Sequence, residues 1–325
     1  MNRYHVELDR LLHSPEAAIR YKTITKVLGK DRLSSDVQAL RDELPHSPLV
    51  EGLLSERDEH GLIPWHPYQK WRGTHWVLAC LADLEYPQGD TSLKPLIDQV
   101  YRWLLGAQHT RSIKTIDGRV RRCASQEGNA LYASLVLGLA DSRSQELAER
   151  LMSWRWPDGG WNCDKRREAI NSSFHESLIP LRALSCYGRL SGDRSASSAA
   201  EQVAEIFLKR ELFKRQLDGS VISSDFITLH YPCYWHYEFL FGLKVLAEAG
   251  FIEDRRCRPA LDLLESKRLP GGGFPAEKVY YKLSTKASSL RSLVDWGGAR
   301  RNHMNEFVTL DALYVLKAAG RYSIS

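Results

Sequence analysis

The chain has 325 residues, 43% of them hydrophobic and 26% charged, which is enough apolar content to bury a large core in one big domain or two ordinary ones. Its 45 basic and 40 acidic residues leave a net charge of +5, spread without long runs, so no nucleic-acid partner is indicated. No apolar run reaches the ~18 residues that a bilayer requires, and the start "MNRYHVELDRLLHSPEAA" lacks the apolar centre of a secretory signal. These features predict a cytoplasmic protein without a transmembrane segment, whose six cysteines stay as thiols or bind metal.

In chain order, "RYHVELDRLLH" and "EAAIRYKTITKVLG" read as two helices joined at "SPE". Five further pairs follow. In each, a charged amphipathic helix precedes a more apolar one: "SPLVEGLLSER" before "GTHWVLACLADLEYP", "LKPLIDQVYRWLLGAQ" before "EGNALYASLVLGLAD", and "SQELAERLMSWR" before "SFHESLIPLRALSCYG". "SSAAEQVAEIFLKREL" then precedes "WHYEFLFGLKVLAEAG", and "RPALDLLESKRL" precedes "EFVTLDALYVLKAAG". Cys80 and Cys186 fall inside the apolar members as core filler. Strand-like alternation is nearly absent.

The turn inside most pairs carries one signal: "DEHGLIPW", "IDGRVRRC", "PDGGWNC", "LDGSVIS" and "LPGGGFP". Such turns need positive φ, expected at Gly160 in "PDGGWNC", and the following aromatic folds back between neighbouring hairpins. Irregular repeats of an outer and an apolar inner helix predict an all-α fold, an (α/α)6 toroid of about six hairpins forming one domain over residues 1–325.

The Gly-Gly-aromatic turn followed by an inner helix, as in "PDGGWNC" and "PGGGFP", resembles the repeat of the squalene–hopene cyclase and protein prenyltransferase superfamily, from about residue 48 to the end. The resemblance implies an enzyme with a central cavity acting on an isoprenoid-like or other apolar small molecule. The Asp-x-Asp-Asp acid string of the alkene-protonating cyclases does not occur here. "YWHYEFLFGL" is similar to the prenyltransferase segment with the zinc histidine, which gives that role to His236, although the matching Asp-x-Cys is missing.

In a toroid the outer-to-inner loops meet at one mouth, so Cys123, Cys163, His175 and His236 are expected to converge. Two thiolates with imidazole suit zinc and leave a coordination position open. The expected zinc ligands are Cys123, Cys163 and His236, with Cys233 a rival and His230 a weaker one, and with His175 and Glu176 as candidate catalytic groups. On the other reading the cysteines are packing residues and the histidines cap helices. Glu127, Glu176, Glu238 and Glu306 begin inner helices, where acids are ordinary dipole partners.

The lanthionine cyclases are a second toroid family with zinc on Cys, Cys and His, but their Cys-His-Gly and Trp-Cys-Tyr-Gly strings are absent; polysaccharide-acting toroids would need a carboxylate pair. Trp71, Arg72, Trp161, Tyr234 and Trp235 are expected to bind substrate at the mouth, with Trp65, Tyr231 and Tyr237 nearby, although packing accounts for at least half of such a set. Arg300 and Arg301 are expected to hold an anionic head group, as are Arg121–Arg122 and Lys165–Arg166. The segment from Glu277 to His303 lacks a clear period and is a candidate lid. A non-catalytic toroid that binds a ligand or protein partner remains the alternative to an enzyme.

Overall fold

A computed structural model describes residues 4–284 and 289–322. Residues 285–288 of the expected lid and Arg3 of the first expected helix lie outside the described residues. The chain is dominated by helices: α1 (His5–Leu12), α2 (Ala17–Lys22), α3 (Ser35–Glu43), α4 (Pro48–Leu54), α5 (Thr74–Asp83), α6 (Lys94–Leu104) and α7 (Ala107–Ser112) come first. After a short hairpin of β1 (Lys114–Ile116) and β2 (Arg119–Arg121) follow α8 (Ser125–Val136), α9 (Ser142–Ser153), α10 (Phe174–Ser191), α11 (Arg194–Leu208), α12 (Phe239–Glu248) and α13 (Arg258–Ser266). A two-residue pair, β3 (Lys282–Leu283) with β4 (Arg291–Ser292), precedes α14 (Glu306–Ala318).

Local chemistry fixes these boundaries. Asp141 opens α9 with a capping box to Ser144, Asp193 accepts from the N–H groups of Ser195 and Ala196 at the start of α11, and Asn305 accepts from Val308 N–H at the start of α14. At the other end, α8, α10, α12 and α14 each stop at a glycine in the left-handed region, Gly138, Gly192, Gly250 and Gly320. The β1–β2 hairpin turns on Asp117 (φ 49°) and Gly118 (φ 71°), both left-handed, so the "IDG" turn signal here marks a strand pair rather than a helix connection. Helix α3, absent from the periodicity reading, buries only Val37, too little for an apolar stripe.

The apolar helices α5, α8, α10, α12 and α14 pack as successive neighbours, and α14 packs on α2. Gly128 of α8 sits so close to α10 that a Cβ there would lie 2.9 Å from Pro180 N, so a small residue is required at this crossing. Buried side chains from Tyr4 to Tyr322 form one continuous core cluster.

Between α2, α5, α10, α12 and α14 lies a buried set of charges. Lys244 of α12 donates to Asp83 of α5 (2.8 Å) and to Asp311 of α14 (2.9 Å). Arg182 of α10 pairs with Glu248 (2.6 Å) and Asp83 (3.2 Å) and lies 4.0 Å above the Tyr132 ring of α8. Lys22 of α2 donates to the Asp83 carbonyl (2.8 Å). Burial pushes the Asp83 carboxyl up, but Lys244, Lys22 and Arg182 outweigh it and hold it well below the ordinary carboxylate range. The centre is thus filled with paired charge, whereas the resemblance implies an open apolar cavity; the spaces within it measure about 20 and 40 Å³.

Candidate metal centre

The turn "PDGGWNC" is built from inside the core outward. Trp161 is fully buried and donates its indole N–H to the Leu151 carbonyl of α9 (3.0 Å), and Trp156 donates to the Val120 carbonyl (2.8 Å). Gly159 takes the positive φ (100°); Gly160, where it was expected, does not. Gly160 is required for space instead, because a Cβ there would lie 2.5 Å from both Ile206 Cδ1 and Ser177 Oγ.

The chain leaving Trp161 runs beside β2. Arg121 and Asn162 form a parallel bridge, and Arg122 N–H donates to the Asn162 carbonyl (3.2 Å). This register sets Cys123, two residues after Arg121, beside Cys163, one residue after Asn162. Glu176, in the first turn of α10, accepts the Ser125 N–H at the start of α8 on Oε2 (3.0 Å) and faces the Cys163 thiol with Oε1 (3.6 Å). Ligand atoms of Cys123, Cys163 and Glu176 all lie within 4.8 Å of one another. Both cysteines are partly exposed and unpaired, and Glu176 is buried.

The three groups compete for protons. The Cys163 thiol is held below its ordinary value, first by hydrogen bonding with Cys123, while that bond, burial and the neighbouring Glu176 push Cys123 upward. Burial raises the Glu176 carboxyl. Cys163 is therefore the thiol that ionises first, whereas Cys123 follows directly on Arg122, whose guanidinium is engaged by Glu127 (2.9 Å to Nε) and Gln126.

The other expected site residues go elsewhere. His236 does not join the thiols: its ring stacks on Tyr280 (3.5 Å) and Trp235 (4.0 Å), because "YWHY" turns it into an aromatic layer, and Glu176 takes the third place in the cluster. His175 Nδ1 accepts the Tyr237 N–H (2.9 Å), so it holds the start of the next hairpin and its side chain parts from that of Glu176. Cys233 and His230 also lie outside the cluster.

Trp71 stacks on Tyr234 (3.9 Å) and donates to the Tyr280 carbonyl (2.7 Å), while Arg72 is engaged by Glu56 (2.8 Å from Nε) and covers Trp65 (3.8 Å). This aromatic set is layered packing, and the described part of the Glu277–His303 segment lies against it through Tyr280 and through Arg291, whose carbonyl takes the Trp71 N–H (3.0 Å). Arg300 and Arg301 are exposed and make no ion pair among the described residues. Cys163 is flagged by the motif that carries it; that Glu176 is the third member of the cluster depends on the Arg121–Asn162 register, which no local sequence signal gives.

Comparisons with protein-family models, with curated proteins and with solved structures each return no match. Among the described residues no helix is long and apolar enough to cross a membrane.

Proposed function

We propose that the chain is an (α/α)6 toroid of the helical-hairpin kind that prenyltransferases and terpene cyclases exemplify, and that it is a zinc-dependent enzyme whose ion is held by Cys123, Cys163 and Glu176. The charges joining α2, α5, α10, α12 and α14, with Lys22 bonded across to Asp83, support the closed ring. The observation that carries the metal is the convergence of two thiols and a carboxylate from two successive hairpins within 4.8 Å. Two thiolates at ~2.3 Å from one tetrahedral ion stand ~3.8 Å apart, which this spacing admits.

Three protein ligands leave the fourth position to water or substrate, and the partial exposure of both cysteines gives that position access from outside. A zinc ion there supplies Lewis-acid polarisation or activates a bound thiol or water. The residues do the rest: Glu176 is anchored by the Ser125 N–H, and Cys163 is the first to give up its proton. The central charges do not suit a large isoprenoid, so the substrate is a smaller molecule approaching from the mouth.

The test is metal analysis of protein purified without added zinc. The expected result is one equivalent, retained in His236→Ala and lost in Cys163→Ser and Glu176→Gln, with affinity falling more than the ~10–100-fold typical of groups behind the ligands. Zinc uptake by apo-protein should release protons, since ligand thiols must ionise. A metal-free parent that also fails to take up added zinc overturns the reading.

A further inference from the structure

A large cavity lies at the opposite end from the thiols. It measures about 600 Å³ and opens among the C-terminal ends of the inner helices, with α3 at its rim. That is the size of a pocket for a small organic molecule. Five cationic side chains line it, Lys26, Arg32, Arg41, Arg182 and Arg189, against two carboxylates, Glu85 and Glu248.

The carboxylates are already matched. Glu85 holds Lys26 (2.8 Å) and Arg32 (2.7 Å), and Glu248 holds Arg182 (2.6 Å). The Arg41 side chain makes no hydrogen bond or ion pair among the described residues, and Arg189 gives one N–H to the Glu248 carbonyl (3.1 Å). Helix C-termini attract cations by themselves, but here the backbone closes the ends. The N–H groups of Tyr86, Leu139, Phe251 and Arg321 return to the carbonyls of Leu81, Ser134, Leu246 and Leu316. The terminal carbonyls therefore leave Arg41 unused.

Glu85 is a second and independent sign. Helices α8, α10, α12 and α14 end on left-handed glycines, whereas α5 ends on Glu85 at φ 58°. A side chain in that conformation is strained, and strain of this kind persists where the side chain is needed. What it supplies is the anchor that fixes Lys26 and Arg32 on the cavity wall. The remaining wall is aromatic: Tyr21, Tyr132 and Tyr314 face the space, and the hydroxyls of Tyr132 and Tyr314 have no hydrogen-bond partner among the described residues.

We propose that this cavity binds a small organic anion with a planar ring, its phosphate or carboxylate group held by Arg41 and Arg189 and its ring lying among Tyr21, Tyr132 and Tyr314. Cations set in a fork geometry suit such a group, and unpaired tyrosine hydroxyls suit a polar edge on the ring.

The test is titration calorimetry on the intact chain at low salt, with adenosine monophosphate as the ringed anion, adenosine as its neutral counterpart and inorganic phosphate as the bare anion. The monophosphate should bind at least about tenfold more tightly than either, the scale of one charge-assisted hydrogen bond. Replacing both Arg41→Ala and Arg189→Ala, which are partly or fully exposed and outside the core, should weaken it a further tenfold or so while the melting temperature and metal content stay unchanged. Three results overturn the proposal: no binding of the monophosphate at millimolar concentration, phosphate binding as tightly as the monophosphate, or affinity unmoved in the double variant.

Discussion

The Cys163 thiol lies 3.6 Å from Oε1 of Glu176, whose other oxygen is fixed by the Ser125 N–H at the start of a different helix. The thiol, the carboxylate and the helix end therefore form one unit, and Cys163 receives hydrogen bonding from Cys123 that favours its ionised form.

Because Cys163 ionises before Cys123, metal-free protein should be alkylated first at Cys163 by iodoacetamide near neutral pH. Cys80, Cys186 and Cys257 are buried and should react only on unfolding. Peptide mapping after limited alkylation measures the order, and added zinc should slow the reaction at Cys123 and Cys163. Equal modification of Cys123 and Cys163 would contradict the hydrogen-bond arrangement.

Gly160→Ala tests the turn. The added Cβ meets Ile206 Cδ1 and Ser177 Oγ at 2.5 Å and Ser172 Cβ at 2.8 Å. Overpacking of this kind costs about 1–3 kcal/mol, read as a lower melting temperature. Gly219→Ala is the contrast: nothing lies within 4 Å of its Cβ, and only its φ of 71° opposes a side chain.

Much of the helical order is legible in the chain because most of the apolar helices are closed by glycine, as at Gly138 within "LVLGLAD" and at Gly250, the end of "LAEAG". Cys123 and Cys163 are legible as well, since the repeat turn delivers them to the same end. Glu176 and His236 exchanged importance for a reason no spacing reveals: a parallel bridge between Arg121 and Asn162 decides which side chain faces the thiols, and that pairing spans distant loops. The central charges are not legible in the chain because Asp83, Arg182, Lys244 and Asp311 sit singly in apolar helices, where each has the pattern of an isolated exposed residue. Only the packing of α5, α10, α12 and α14 brings them together.

Lys244→Ala removes the cation shared by Asp83 and Asp311. Breaking a buried ion pair leaves uncompensated charge and costs about 3–5 kcal/mol, so the melting temperature should fall by several degrees. Lys244→Ala combined with Asp83→Asn and Asp311→Asn should recover part of the loss, because neutral groups replace two carboxylates that have lost their shared cation. A single variant that melts like the parent would show that the charges do not hold the inner helices together.

His75 gives the pH prediction. It is buried in α5 among Tyr68, Trp76 and Trp103, and neither ring nitrogen has a hydrogen-bond partner among the described residues. Burial first, and the Arg122 cation second, push its pKa down to about 3. The folded state therefore keeps His75 neutral where the unfolded chain, near 6.5, takes up a proton. Between those values the unfolded state binds more protons, so stability is present above about pH 6.5 and is lost as pH falls toward 3, by up to about 1.4 kcal/mol per pH unit from this group. His230, lowered to about 4, and His236, lowered to about 3, add to the same slope. His75→Phe removes one group from it and also removes two unsatisfied polar atoms, so it should melt no lower than the parent at neutral pH and relatively higher at pH 5. Denaturant unfolding of parent and variant at both pH values measures the difference, and parallel losses in the two proteins would mean that His75 is protonated, and so solvated or paired, in the folded state.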